Sequence, residues 1–125
     1  MIDLIGRRVL IVEDEAIIAM TLEDVLQELG CFVVGPAAGI ADALASIRTE
    51  AIDAAFLDLN IDGRESYLVA DALRARDVPF LFCTGYGADG VDPRYAGSAV
   101  LQKPFMPSEV EIGLRRILAC SAEPR

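Results

Sequence analysis

The amino-acid sequence predicts an α/β domain: a doubly wound, open sheet of five parallel strands with helices on both faces. Five short apolar runs alternate with helical or irregular stretches along the chain. The runs are continuously hydrophobic rather than alternating, which suits strands buried on both faces under a cover of helices. A length of 125 residues with 54% hydrophobic side chains supplies one domain with a core and leaves no room for a second.

The first strand is Val9-Leu10-Ile11-Val12. Ile18, Leu22, Val25, Leu26 and Leu29 follow at helical spacing, and Gly30 ends that helix. Residues 31–34 form the second strand, and Ile40, Ala43, Leu44 and Ile47 a shorter helical stripe. Ala54-Ala55-Phe56-Leu57 is the third strand, followed by a helix around Val69, Ala70 and Leu73. Phe80-Leu81-Phe82-Cys83 and Ala99-Val100-Leu101 are the fourth and fifth strands. The last helix opens on Ser108-Glu109-Val110-Glu111, a capping-box pattern, and continues through Leu114, Ile117 and Leu118. Residues 85–94 carry three glycines and a proline. Each interior glycine costs a helix about 1 kcal/mol and a proline about 3, so this stretch is predicted to be a short, frayed helix or mostly loop. A weakly stable segment beside an active face is a ready switch element.

Composition excludes several functions. A net charge of -9 and a pI near 4.3 oppose direct binding of nucleic acid. The pairs Arg7-Arg8 and Arg115-Arg116 read as solvated faces. No apolar run approaches the roughly 20 residues that cross a bilayer, and residues 1–8 lack the order of a signal peptide, so a soluble cytoplasmic domain away from the membrane is expected. Histidine is absent, which removes imidazole zinc sites, Ser-His-Asp hydrolysis and a phosphohistidine donor. Cys31, Cys83 and Cys120 form no CxxC, so neither a disulfide frame nor a thiolate metal site is indicated. Cys83, inside an apolar run, reads as a core residue.

Ligands of such sheets sit beyond the carboxyl ends of the strands. There the sequence places Glu13-Asp14-Glu15, then Asp58, Thr84, and finally Lys103-Pro104, with Lys103 the only lysine of the chain. Taken singly, the acids read as helix caps or a turn residue and Thr84 as another cap. Their joint placement on one sheet edge asks for more. Carboxylates about 5 Å apart repel by about 3 kcal/mol per pair at an effective dielectric near 20. One lysine cannot neutralise Glu13, Asp14 and Asp58, whereas a hard divalent cation can, and magnesium is the usual choice for oxygen ligands. Magnesium, an ammonium and a threonine hydroxyl together can hold a phosphoryl group, with an aspartate as its nucleophilic acceptor. In the 2-1-3-4-5 strand order common to such sheets, Asp58 ends the middle strand.

Over essentially its whole length the chain resembles a response-regulator receiver domain, with the flavodoxin-like (βα)5 fold. The segments carrying the resemblance are Leu10-Ile11-Val12-Glu13-Asp14-Glu15, Phe56-Leu57-Asp58-Leu59-Asn60, Phe82-Cys83-Thr84-Gly85-Tyr86-Gly87 and Leu101-Gln102-Lys103-Pro104-Phe105. The resemblance implies a two-component phosphorelay switch rather than an enzyme, one receiver over residues 1–125 with no output domain. Asp58 would accept phosphate from a phosphohistidine on a sensor histidine kinase. Asp14 and Asp58 would bind Mg2+ directly, Glu13 through water and Asn60 through its backbone carbonyl. Thr84 and Lys103 would contact the phosphoryl group, and Pro104, after a cis bond, would aim Lys103. The phosphorylated domain would shuttle or drain phosphate, or bind an unknown downstream protein through the doubtful segment, the last strand and the last helix.

Two departures qualify this. Many receivers place an aromatic three residues before the lysine, where Val100 stands here, so an aromatic rotamer switch at that position is excluded. The segment Phe80-Leu81-Phe82-Cys83-Thr84-Gly85-Tyr86 instead resembles the FAT GUY group of receivers, with Cys83 for the expected alanine. Many of that group stand alone or partner kinases of the HWE or related classes. Tyr86 is then a switch residue that, with Asn60, screens the acyl phosphate from water; otherwise it is a surface aromatic. Two alternatives remain: a small haloacid-dehalogenase-like aspartate phosphatase, and a receiver-like scaffold that is never phosphorylated. Against the first, the acidic pair precedes the nucleophile and Asn60 stands where that group's acid-base aspartate would be.

Overall fold

All five apolar runs become strands in the computed structural model, which describes residues 3–85 and 90–122. The elements are β1 (Arg8–Val12), α1 (Ala16–Glu28), β2 (Phe32–Ala37), α2 (Ile40–Thr49), β3 (Ala54–Asp58), β4 (Asn60–Ile61), β5 (Arg64–Glu65), α3 (Tyr67–Ala75), β6 (Phe80–Thr84), β7 (Val100–Gln102) and α4 (Pro107–Ala122). The main sheet is parallel throughout, ordered β2-β1-β3-β6-β7, which is the expected 2-1-3-4-5 order of its five long strands.

Unbroken hydrophobicity in the strands reflects two cores. Val9, Ile11, Phe56 and Leu81 point to one face, against Leu22 and Leu26 of α1 and Val110, Leu114 and Ile117 of α4. Leu10, Val12, Ala55, Leu57 and Phe82 point to the other, against Ala43 and Ile47 of α2 and Val69 and Leu73 of α3. Successive strand residues face opposite sides, so the central strands β1, β3 and β6 need apolar side chains on both faces. Pairing in parallel brings the carboxyl ends of β1, β3, β6 and β7 to one edge.

Element ends follow local chemistry. Gly30, at φ 89, closes α1: its N–H donates to Gln27 O (3.0 Å) and the next N–H, of Cys31, to Leu26 O (3.0 Å). This is a Schellman close, as the glycine predicted. The start of α4 differs from expectation. The helix begins at Pro107, not after Ser108, and the Glu109 carboxylate accepts from Met106 N (2.8 Å). Proline at the first helical position loses no bond and carries a helix-ready φ, which moves the boundary two residues earlier, from Glu109 to Pro107. The β2 strand runs on through Gly35-Pro36, a cis peptide, and its register shifts against β1 between Leu10 and Val12. Proline is tolerated because β2 is an edge strand.

Between β6 and β7 the described residues hold a 3-10 turn at Pro93–Tyr95 and no α-helix, in keeping with the glycine and proline content. Tyr95 anchors this turn. Its ring is buried (1% exposed), stacked on Tyr67 and edge-on to Phe80 and Phe82, and its hydroxyl donates to Asp71. Tyr67 Oη accepts from Asp92 N (2.6 Å). Tyr95→Phe keeps the ring and removes one bond to a charged group, so we expect a loss of about 1.5 kcal/mol in urea unfolding.

Candidate functional site

Glu13 and Asp14 follow β1, Asp58 and Thr84 are the last residues of β3 and β6, and Lys103 follows β7. The sheet register brings these ends together. One carboxylate oxygen from each of Glu13, Asp14 and Asp58 lies within 4.8 Å of the others. Glu13 and Asp58 are buried, and Asp14 is exposed at the mouth. Lys103 Nζ reaches Glu13 Oε1 at 3.0 Å, Asp58 Oδ2 at 3.2 Å and Glu15 Oε1 at 3.7 Å. The Lys103 backbone N–H donates to Thr84 O (2.8 Å), which ties the lysine to the end of β6. The Lys103-Pro104 peptide is cis, as expected. Thr84 is buried beside Asp58's strand neighbour Cys83.

The helix-capping explanation of the acids does not describe them. Glu15 sits at the cap of α1 without a side-chain capping bond. Glu13 Oε2 instead accepts from Glu15 N (3.1 Å), and Asp14 Oδ2 accepts from Asp62 N (3.0 Å) across the chain. Asn60 N donates to Asp58 Oδ1 (3.3 Å), setting Asn60 at the rim of the cup.

Burial, with the adjoining Asp58 carboxyl, pushes Glu13 up to about 7, despite the opposing pull of Lys103. Burial works against the Lys103 ammonium, but Glu13 and Asp58 outweigh it and hold its pKa above the ordinary lysine value. In metal-free protein the sign follows directly. Between about pH 4.5 and 7 the folded chain binds more protons at Glu13 than the unfolded chain does, so stability falls as pH rises through that window. Urea midpoints in EDTA at pH 5 and 7.5 test this, with the lower value expected at 7.5.

Three carboxylates against one ammonium leave net negative charge. Glu13 Oε1 is buried, and among the described residues no hydrogen bond of good geometry reaches it; Lys103 meets it only as an ion pair. An oxygen-only donor set with an under-satisfied buried carboxylate fits a hard divalent cation such as magnesium. Burial raises both Cys31 and Cys83 thiols, so neither is an activated nucleophile. A cavity of about 570 Å³ lined by Arg74, Phe80, Val100 and Arg116 lies toward the opposite end of the sheet and includes none of the cup residues.

The structure thus gathers Glu13, Asp14, Asp58, Thr84 and Lys103, with Asn60 at the rim. Val100 is half-buried against the α2/α3 core and carries no aromatic. Tyr86 lies outside the described residues. Sequence reasoning missed Asp62 and Ser66. Asp62-Gly63 is a hairpin dipeptide, and it turns β4 back on β5 with φ of 52 and 75. Ser66 is wholly buried, and its hydroxyl donates to the backbone carbonyls of Asp58 and Leu59.

An acid cup with one lysine, at the strand ends of a 2-1-3-4-5 sheet, is the arrangement of a receiver domain. The response regulator receiver domain family matches residues 9–114, and the chain belongs to that family. Receiver domains are signalling switches rather than classical enzymes. The solution structure of SdrG from Sphingomonas melonis Fr1 is 46% identical, with a TM-score of 0.82 over 94% of this chain and 99% of that one. The receiver domain of sensor histidine kinase PA1611 from Pseudomonas aeruginosa PAO1, solved with magnesium in its active-site cleft, is 27% identical, with a TM-score of 0.79 over 91% and 98%. Transcriptional regulatory protein PrrA of Mycobacterium tuberculosis is 34% identical over 116 residues, 89% of this chain and 49% of PrrA. The chain spans about half the length of the curated relatives it matches. Among the described residues no helix is long and apolar enough to cross a membrane.

Proposed function

We propose that this receiver acts in the cytoplasm and takes a phosphoryl group on Asp58 from the phosphohistidine of a sensor histidine kinase, of the HWE or a related class, with Mg2+ held by Asp14 and Asp58 directly, by Glu13 through water and by the Asn60 carbonyl. The observation that carries this is the convergence of Glu13, Asp14 and Asp58 within 4.8 Å, with Lys103 on Asp58. The magnesium in PA1611's cleft supports the choice of metal.

When bound, the cation neutralises the cup and offsets the charge of the incoming phosphoryl oxygens. The chain's own groups do the rest. Asp58, fixed by Lys103 Nζ on Oδ2 and by Asn60 N on Oδ1, presents its carboxylate as nucleophile. Attack forms the Asp58 O–P bond as the histidine N–P bond breaks, and the electron pair leaves with the imidazole. Lys103 is already within reach of the accepting oxygen and can follow the new charge. The Thr84 hydroxyl donates to a phosphoryl oxygen, drawing the end of β6 and the loop after it inward, with Tyr86 and Asn60 screening the acyl phosphate. That shift biases the surface made by the β6–β7 segment, β7 and α4 toward a downstream protein, or the receiver serves as a phosphate shuttle or sink. Slow self-dephosphorylation returns it.

Turnover separates this from a haloacid-dehalogenase-like phosphatase. With p-nitrophenyl phosphate and Mg2+, the receiver is expected to release no more than a stoichiometric equivalent over an hour. Many equivalents per chain would support the phosphatase.

A further inference from the structure

The loop between β3 and α3 is an ordered hairpin tied at both ends. At its base, Ser66 occupies the N-cap position of α3, where a serine hydroxyl ordinarily accepts from the first turn of the helix. Here it makes no capping bond. Its buried hydroxyl turns back and donates to Asp58 O (2.5 Å) and Leu59 O (3.1 Å), while Ser66 N–H donates to Leu59 O (2.9 Å). A cap forgone in favour of two strand-end carbonyls points to a need at the strand end. At the hairpin tip, Asp62 holds φ 52 and donates its N–H to Asp14 Oδ2, 48 residues away. The hairpin therefore spans the ends of β1 and β3, the two strands that deliver the directly ligating carboxylates.

We propose that the β4–β5 hairpin is a clasp that preorganises the acidic cup, with the Asp62 amide and the Ser66 hydroxyl as positioning groups. The inference rests on reading the cup as a magnesium-dependent phosphoacceptor. Its physical basis is simple. Asp14 and Asp58 repel one another in metal-free protein, and Asp14 is exposed, so without the Asp62 N–H little would keep its carboxylate from rotating away. A neutral N–H on one Asp14 oxygen holds that carboxylate in place without adding a cation that would compete with the metal. Ser66 fixes the backbone from which Asp58 and Asn60 project. Groups placed before the ligand arrives cost no ordering when it binds.

Two exchanges at one position isolate the clasp. Asp62→Pro removes the N–H and imposes a negative φ; Asp62→Gly keeps the N–H, accepts the positive φ and removes only the carboxylate. Mg2+ titrations of the full chain by calorimetry, after EDTA stripping, are expected to show Asp62→Pro weakened about tenfold and Asp62→Gly within about twofold of the parent. Melting in EDTA controls for general damage: Asp62→Gly is expected to melt close to the parent and Asp62→Pro somewhat lower, since proline cannot hold φ 52. Ser66→Ala is a second, independent arm, expected to weaken Mg2+ severalfold. The proposal is overturned if Asp62→Pro binds Mg2+ as the parent does, or if Asp62→Gly loses as much affinity as Asp62→Pro. If Asp62→Pro does not fold, parent-like Mg2+ affinity of Ser66→Ala overturns it instead. A parent that binds Mg2+ but accepts no phosphoryl group fails the phosphoacceptor reading and leaves this comparison intact.

Discussion

Asp58→Ala is expected to abolish phosphoryl uptake. Incubated with acetyl phosphate and Mg2+, the variant keeps its unmodified mass, a loss of more than about a thousandfold in rate. No neighbour can stand in. Glu13 has one oxygen held by the Glu15 amide and the other paired to Lys103. Asp14 has an oxygen held by the Asp62 amide and sits at the exposed mouth, without a lysine contact among the described pairs. Asp58 shares with Glu13 a lysine on one oxygen and a backbone amide on the other, and of the three carboxylates it alone ends the central strand. A phosphoryl adduct that persists in Asp58→Ala would place the acceptor elsewhere.

Lys103→Ala is expected to be the second large effect, and it reads on stability as well as chemistry. Its ammonium lies within 3.7 Å of Glu13, Asp58 and Glu15. Removing one partner of a fully buried ion pair costs about 3–5 kcal/mol. The lysine side chain is partly solvated, at 16% exposed, so about 2 kcal/mol is the reasonable figure after screening. For a chain of this size that is a fall of about 8 °C in Tm in EDTA. Saturating Mg2+ is expected to recover much of it, because the cation takes over neutralisation of the same carboxylates. Phosphoryl uptake stays about a hundredfold slow even with Mg2+, since the ammonium that follows the transferred charge is gone. Equal melting of parent and variant in EDTA would show that the cup does not depend on its lysine.

The parts legible in the sequence are those with long-range pattern. Apolar runs such as Val9-Leu10-Ile11-Val12 are long enough to report burial on two faces, and the parallel sheet then dictates that residues after each run share an edge. Glu13, Asp14, Asp58, Thr84 and Lys103 could be placed together on that basis. The hairpin was not, because two-residue strands such as Asn60–Ile61 carry no periodicity. Only the Asp62-Gly63 dipeptide signalled it. Ser66 resembled any loop serine before a helix; its use depends on where its hydroxyl turns, which local sequence does not encode. The start of α4 was misjudged by weighing Ser108 as a cap over Pro107 as a first helical residue. Tyr95 drew no notice because its burial arises from Tyr67, Phe80 and Phe82 on other elements.

The most direct measurement is the intact mass of the unaltered chain after acetyl phosphate, with Mg2+ and again with EDTA in its place. One phosphoryl group per chain with Mg2+, and none with EDTA, is the result expected of a metal-dependent acceptor at Asp58. An unchanged mass with Mg2+, or equal labelling in EDTA, would contradict it.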